Sequence, residues 1–323
     1  MTIAISGTTG VTLAGQFDSA STFGFKNRFI NGQMQIAQRG TTGTSGSAVP
    51  TTAPTYPSID RWYAYATGAT VSVAQVAGSG SNRNNLQVTG AASVTAVGVG
   101  QRIESLNSYD LAGNTVTLSV NMSNSLLSTV TWTASYASST DTWATKTTIT
   151  TGSFTVTSSL ANYTAQIVIP AAATTGIEIL FTVGAQTSGT WVIGNAQLEK
   201  TTATATTFDY RPYGTELALC QRYLPVFTST AFTGQASSGT AGYVPIIFPV
   251  TTRTAATGIV VSGSGSAVTN SAAGSISTTS ITFNASGVQS GIVAFGVASG
   301  LTAGNSTILS LGATTIQFTG CEL

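Results

Sequence analysis

Few residues of this chain could act in catalysis, because it lacks side chains that most classes of enzyme require. The chain of 323 residues has no histidine, two cysteines and ten acidic residues. Histidine is the commonest general base and metal ligand, so catalytic triads and zinc sites that need it are excluded. Glycoside hydrolysis without histidine uses two carboxyl groups. The acidic residues are scattered and form no paired motif, which predicts a protein without catalysis, metal or cofactor.

One cluster of aromatic and polar residues suits a sugar. Trp132, Tyr136 and Trp143 lie close together in the sequence, with Asp141 near the tip of the hairpin or loop that this segment predicts. Aromatic rings stack on the C–H faces of sugars, and polar side chains bind the hydroxyl groups. These four residues are the candidate carbohydrate-binding site. The alternative places Trp132 in the core and makes Trp143 a cross-strand partner in a hairpin.

The two cysteines, Cys220 and Cys321, are too few for a disulfide framework. Two buried or partly buried thiols are one prediction, and a Cys220–Cys321 disulfide within or between subunits is the other. Neither cysteine has a C-x-x-C partner, and the chain has no histidine to activate a thiol. Catalysis through these thiols is therefore not expected.

The elements that must position these residues are almost all β-strands. Apolar residues alternate with period two in segments such as 115–122 and 176–183, and clusters of Gly, Ser, Asn and Thr separate them. This pattern predicts an all-β sandwich or barrel. One helix is predicted to begin after Thr215, its N-cap, and to end before Pro225.

The charge and hydropathy of the chain limit the kinds of partner that it is expected to bind. Charged residues make up 7% of the chain and the net charge is +1, so no electrostatic footprint for nucleic acid is present. The most apolar stretch, 165–185, is interrupted by polar residues, so membrane insertion is not expected. The N-terminus lacks the pattern of a signal peptide.

Several motifs together resemble one known family. Their residues are Asn27–Met34, Gln38–Gly40, Ser58–Trp62, Trp191–Lys200, Phe208–Gly214, Glu216–Tyr223, Thr252–Ala255, Ser299–Gly304 and Gly320–Leu323. The first three resemble the opening of bacteriophage fibre and adhesion proteins, the next three the segment that closes the same module, and the last three the tail. Ala256 stands where the family has proline, and Cys321 stands where it has alanine.

The resemblance implies a fold for the chain and a location on the virion. It implies a jelly-roll β-sandwich like that of carbohydrate-binding modules at 25–213, followed by a smaller β-sandwich domain at 214–323, with the helix at the junction. It also implies a fibre or spike, usually trimeric, on the outer surface of the virion. Residues 1–24, which cannot bury a core alone, are expected to anchor the chain to other virion proteins.

Seven residues of these motifs are expected to have a structural role. They are Asp60, Arg61, Trp62, Trp191, Gln197, Glu199 and Arg211. Trp62 is expected in the core, with Asp60 and Arg61 at the edge of the sandwich. Arg211 is expected to pair with Glu199 or Glu104 and to fix the junction between the domains.

These expectations combine into one hypothesis and two alternatives. The hypothesis is a non-enzymatic structural protein of a tailed-phage virion, a homotrimer that binds host surface glycan and associates through 214–323. The first alternative is a capsid decoration or head-fibre protein with the same fold. The second is a polysaccharide depolymerase.

Overall fold

The computed structural model describes residues 4–6, 10–12, 25–44, 54–80, 82–201, 204–270 and 274–323. The predicted anchor at 1–24 therefore lies mostly outside the described residues. Its two described pieces, β1 (Ala4–Ser6) and β2 (Gly10–Thr12), pair as antiparallel strands. The chain divides into two compact units, one of residues 1–35, 44–55 and 63–212 and one of residues 36–43, 56–62 and 213–323.

The first unit consists of two antiparallel sheets. The five-stranded sheet contains, in spatial order, β10 (Thr142–Thr155), β9 (Thr129–Ser139), β12 (Ile177–Val183), β7 (Ala96–Ile103) and β4 (Tyr63–Thr67). The six-stranded sheet contains β11 (Ala161–Val168), β8 (Thr115–Asn124), β13 (Thr190–Glu199), β6 (Asn84–Thr89) and β5 (Ser72–Ala77). At its edge lies the short strand β3 (Thr42–Thr44), whose last residue belongs to this unit. A single helical turn, α1 (Ser105–Ser108), follows β7.

The core of the first unit lies between the inner faces of the two sheets. Successive side chains of a strand point to opposite faces, so the alternating apolar residues gather on one side of each sheet. The ring of Phe154 on β10 lies 5.5 Å from that of Tyr163 on β11 and 6.3 Å from that of Trp132 on β9. These three aromatic side chains join the two sheets.

The second unit is a closed barrel with a small additional sheet. The barrel strands are β15 (Ala231–Ala236), β16 (Ala241–Ile247), β20 (Ser290–Val297), β19 (Gly274–Ser286), β18 (Ala267–Asn270) and β21 (Ser306–Ser310). The three-stranded sheet contains β14 (Val226–Thr228), β22 (Thr315–Thr319) and β17 (Gly258–Ser262). Phe318 packs edge-on against Phe248 at 4.8 Å and against Phe227 at 6.1 Å in the core.

The predicted all-β chain with a short helix is confirmed, and α2 runs from Tyr213 to Gln221. The smaller sandwich predicted for 214–323 is corrected, because the strands close into a barrel. Closure depends on the pairing of β15 with β21 across a long sequence separation, and period-two alternation is the same in a sandwich and in a barrel. Segments 36–43 and 56–62, which the sequence placed in the jelly roll, belong to the second unit.

Candidate functional site

The Asn27 side chain joins the first motif to strand β13 in the first unit. Its Nδ2 donates to the carbonyl oxygen of Ala196 at 3.0 Å, and its Oδ1 accepts from the backbone N–H of Leu198 at 3.1 Å. Arg211 donates to the carbonyl oxygens of Asn27 and Phe29, the latter at 3.1 Å. The guanidinium thus holds this segment by its backbone, while its expected pairing with a carboxylate stays a prediction.

Gln197 and Glu199 hold the segment that follows β13. The Glu199 carboxylate accepts from the backbone N–H of Thr206 at 2.8 Å, from its hydroxyl at 2.7 Å and from Gln197 Nε2 at 3.0 Å. Gln197 Oε1 accepts from the backbone N–H of Asp209 at 2.8 Å. Both side chains are buried, and Trp191 on the same strand has 0% exposure. A ligand has no access to these three motif residues.

Asp60 and Arg61 belong to a buried ion cluster in the second unit. The Asp60 carboxylate accepts from the Gln38 backbone N–H at 3.0 Å and lies 3.6 Å from Arg39 Nη1. Glu322 pairs with Arg61 and, at 2.9 Å, with Arg39 Nη2. Burial raises the pKa of Asp60 to about 6, although the Arg39 charge opposes the rise. The cluster ties two early motifs to the tail motif.

Arg61 is held in a conformation that a non-glycine residue rarely adopts. Its φ is +71°, and the guanidinium carbon lies 3.6 Å from the centroid of the Tyr223 ring. Burial alone would lower the pKa of Arg61, but the Glu322 carboxylate and the Tyr223 ring raise it, so the side chain stays charged. Trp62, the next residue, has 0% exposure.

The two cysteines are free thiols, and both are buried. The disulfide between Cys220 and Cys321 is therefore absent from the structure. The Cys321 thiol donates to the carbonyl oxygen of Thr254 at 3.2 Å. Burial raises the pKa of both thiols, that of Cys220 most, which makes them poor nucleophiles.

The structure contradicts the predicted sugar-stacking rings. Trp132 is 7% exposed on the inner face of β9, and Trp143 is 4% exposed. Sugar stacking needs an open ring face, and neither indole offers one. Tyr136 shares the inner face with Trp132, and Asp141 accepts from the Ser105 backbone N–H at 2.7 Å and from its hydroxyl at 2.9 Å. The four residues do not form one surface, so this site is corrected.

Trp143 packs instead against a buried ion cluster that the sequence analysis missed. Arg102 on β7 lies opposite Glu178 on β12, with Nε 3.0 Å from Oε1, and Lys146 binds the other carboxylate oxygen. The Arg102 guanidinium carbon lies 5.0 Å from the centroid of the Trp143 ring and 5.6 Å from that of Tyr63. One feature of the sequence indicates this cluster, namely a single charged residue within each of two apolar strands.

Beside this ion cluster lies a half-exposed surface, which we call the hydroxyl face. It consists of Thr131, Thr133, Thr151, Leu180 and Thr182 on the outer face of β9, β10 and β12. Residues opposite each other in neighbouring strands share a face, and the register pairs Leu180 with Thr133 and Thr182 with Thr131. The hydroxyls of Thr133 and Thr151 are 3.3 Å apart. Side chains at all five positions reach solvent.

Two tyrosines of β4 adjoin the hydroxyl face in the register of the sheet. Tyr63 lies opposite Gly100 and Tyr65 opposite Gly98, and a Cβ at either glycine would collide with the facing ring. Both rings are buried against the sheet. Burial raises the pKa of Tyr65, and the negative charge of Glu178 raises it further. The two tyrosine rings therefore pack on the glycines of β7 and do not offer an open face on which a sugar could stack.

A separate cavity of about 390 Å³ lies on the outer face of the six-stranded sheet. It is lined by Thr117, Asn162, Thr164, Ala165, Gln166, Thr204 and Ala205. Asn162 Nδ2 donates to Asn121 Oδ1 at 2.9 Å. The cavity offers hydroxyl and amide groups and no aromatic ring, so it is another polar surface of the first unit.

Within the described ranges, no group of three potential metal ligands comes together. Over the same part of the chain, no helix is long and apolar enough to cross a membrane.

No protein-family model matches the chain, and no curated protein matches it. Similar solved structures include a family 4 carbohydrate-binding module, 14% identical with a TM-score of 0.36, which covers 53% of this chain and 98% of its own. A putative sugar-binding protein from Bacteroides thetaiotaomicron is 10% identical with a TM-score of 0.37, covering 55% of this chain and 100% of its own. The tailspike protein 4 of bacteriophage CBA120 is 15% identical with a TM-score of 0.34, covering 44% of this chain and 19% of its own. Likenesses this distant carry no argument about function.

Proposed function

We propose that this protein is a non-enzymatic structural protein on the outer surface of a tailed-bacteriophage virion, a fibre or spike that binds host surface glycan. The motifs quoted above support the virion assignment. The observation that carries glycan binding is the hydroxyl face, a solvent-reaching sheet surface of four threonines around Leu180.

The hydroxyl face has the chemistry that a neutral sugar requires. The Thr151 hydroxyl donates to the carbonyl oxygen of Trp132 at 2.9 Å and the Thr182 hydroxyl to that of Thr131 at 3.5 Å, so both oxygens keep acceptor lone pairs for the hydroxyl groups of a sugar. Leu180 offers an apolar centre among them. Lys146, whose side chain is 31% exposed, supplies an ammonium group beside Glu178. The strands of the sheet hold these groups in fixed positions, so little ordering opposes binding.

The engagement of the carboxylates supports a role without catalysis. Glycoside hydrolysis needs one carboxyl group to donate a proton and a second to attack or to activate water. Glu178 is bound by Arg102 and Lys146, and Asp141 is bound by Ser105. Neither carboxylate is free for these steps. The depolymerase alternative therefore gains no support from these two residues.

Assembly completes the proposal. We infer a homotrimer that associates through residues 214–323 and joins other virion proteins through residues 1–24. The composition supports the first part, since the region from 225 to 323 carries two charged residues, Arg253 and Glu322. Immunogold labelling of particles would separate a tail location from the capsid-decoration alternative.

The test of glycan binding uses two matched variants. Thr133→Arg places a bulky side chain on the hydroxyl face, and Thr164→Arg places the same group in the cavity of the other sheet. We expect wild type and Thr164→Arg to bind host polysaccharide alike in isothermal titration, and Thr133→Arg to bind at least tenfold more weakly. Thermal unfolding must show that both variants are folded.

Each other outcome counts against part of the proposal. Loss of binding in Thr164→Arg alone would move the site to the cavity. Unchanged binding in both variants would exclude both the hydroxyl face and the cavity as the glycan-binding site. If the wild-type protein bound no polysaccharide of its host, glycan recognition would be wrong.

A further inference from the structure

The barrel of the second unit has an outer wall without charge. From residue 225 to residue 323 the chain has two charged residues, Arg253 and Glu322. Arg253 donates to the carbonyl oxygens of Cys321 at 2.8 Å and of Glu322 at 2.5 Å. The Glu322 carboxylate is paired with Arg39 and Arg61. Both side chains are thus bound within the unit, and the six barrel strands themselves carry no charged residue.

Apolar side chains gather on one side of this wall. We call them the barrel patch: Tyr243, Pro245, Ile247, Val288 and Ile292. The register sets Pro245 of β16 opposite Ile292 of β20, and burial alternates along both strands so that the four strand residues of the patch point outward. Val288 lies in the turn between β19 and β20. Ile247 is 72% exposed, Tyr243 46%, Val288 42% and Ile292 37%. Isolated apolar side chains are normal on a surface, but a contiguous group marks an interaction site.

Uncharged polar residues border the barrel patch. Gln235 of β15 lies opposite Tyr243, and Thr282 of β19 lies opposite Ala294, the neighbour of the patch on β20. Ser290 lies opposite Ile247. An apolar centre with a polar rim is the usual anatomy of a protein interface. Here the rim consists of amide and hydroxyl groups.

We propose that the barrel patch is the surface through which copies of this chain associate. This proposal rests on the proposed trimer and assigns its interface to named residues. A partner with a charged surface would lose the hydration of its charges and find no opposite charge here. A second copy presents the same uncharged wall, so apolar surface is buried and no charge is desolvated. Three copies around a threefold axis bring their patches together in a closed assembly.

The experiment compares two charged substitutions on the same barrel. The double variant Ile247→Lys/Ile292→Lys places charges in the barrel patch. The control Ile308→Lys alters a residue that is 45% exposed on β21, where its neighbours are Thr233 and Thr269. Sedimentation equilibrium at about 20 µM measures the mass of each. We expect trimers for wild type and Ile308→Lys and a monomer for the double variant, with little change in thermal unfolding.

The remaining outcomes overturn the proposal. A monomeric wild type would remove self-association, and a folded double variant that stays trimeric would exclude the barrel patch. Dissociation of Ile308→Lys would show an interface beyond this patch. Glycan binding is measured on the same samples, so a folded monomer that still binds polysaccharide separates the interface from glycan recognition. Its binding to whole cells should then weaken through lost avidity.

Discussion

Arg102 and Glu178 form a buried ion pair across the neighbouring strands β7 and β12. The guanidinium Nε lies 3.0 Å from the carboxylate Oε1, and the side chains are 0% and 1% exposed. The Glu178 carboxylate also binds Lys146. A buried ion pair depends on both partners, because the loss of one leaves the other charge buried without its partner. This pair fixes the end of the sheet beside the hydroxyl face.

Glu178→Gln is therefore expected to destabilise the protein strongly. Removal of one partner from a buried pair costs about 3–5 kcal/mol, because Arg102 keeps its charge in a buried site. Urea unfolding followed by circular dichroism measures the change. The control is Asp110→Asn, which breaks the pair between Arg28 and Asp110, where the side chains are 26% and 51% exposed. The control should lose less than about 1 kcal/mol, and equal losses would contradict this account.

The pH dependence of stability is expected to report on Asp60. Its pKa is about 6 in the folded protein and 3.8 when unperturbed, so the folded state holds the proton more tightly between these values. Stability should then rise as pH falls, by about 1 kcal/mol between pH 7.5 and pH 5. The chain has no histidine, which otherwise titrates in this window.

Asp60→Asn provides the control for that measurement. The amide does not titrate, so the rise in the unfolding midpoint between pH 7.5 and pH 5 should vanish in the variant. An unchanged pH profile in Asp60→Asn would assign the titration to another group.

The sequence predicts the β class and the helix because both follow from local patterns. Alternation in segments such as 115–122 needs no knowledge of distant residues, and the run of helix formers at 216–219 favours a helix by itself. The helix boundaries differ from the prediction, since the helix begins at Tyr213, before the expected N-cap Thr215, and ends at Gln221, before Pro225. Barrel closure is different, since β15 and β21 lie more than 70 residues apart. No local pattern specifies that pairing.

The misplacement of Trp143 has a comparable physical cause. The pairing of β9 with β10 shifts its register between Thr142 and Lys146 and again between Thr148 and Thr150. The first shift adds two residues to β10 relative to β9 and the second adds one, which reverses the face of the residues after it, so a period-two count fails across this hairpin. Trp132 lies within the core between the sheets, whereas Trp143 packs on Arg102. The hydroxyl face escaped notice because threonine is common throughout the chain.

Trp62→Ala is expected to destabilise the second unit by about 3–5 kcal/mol, since the loss of a buried indole leaves a large cavity. Trp62 has 0% exposure. The control Tyr213→Ala removes a ring that is 60% exposed and should change the free energy of unfolding little. Differential scanning calorimetry of both variants compares them. A small effect at Trp62 would mean that the surrounding side chains collapse into the space.

The reactivity of the thiols is the last expectation. Cys220 and Cys321 are both buried, and burial raises the pKa of each, so few thiolates form and reagents reach them slowly. We expect a disulfide-exchange reagent to label neither thiol rapidly in the native protein and to label two per chain in guanidinium chloride. Since the Cys321 thiol donates to the Thr254 carbonyl, Cys321→Ala should cost about 1 kcal/mol in unfolding experiments. Rapid labelling of the native protein would show that the tail segment opens, and labelling of fewer than two thiols after unfolding would reveal the disulfide that the structure lacks.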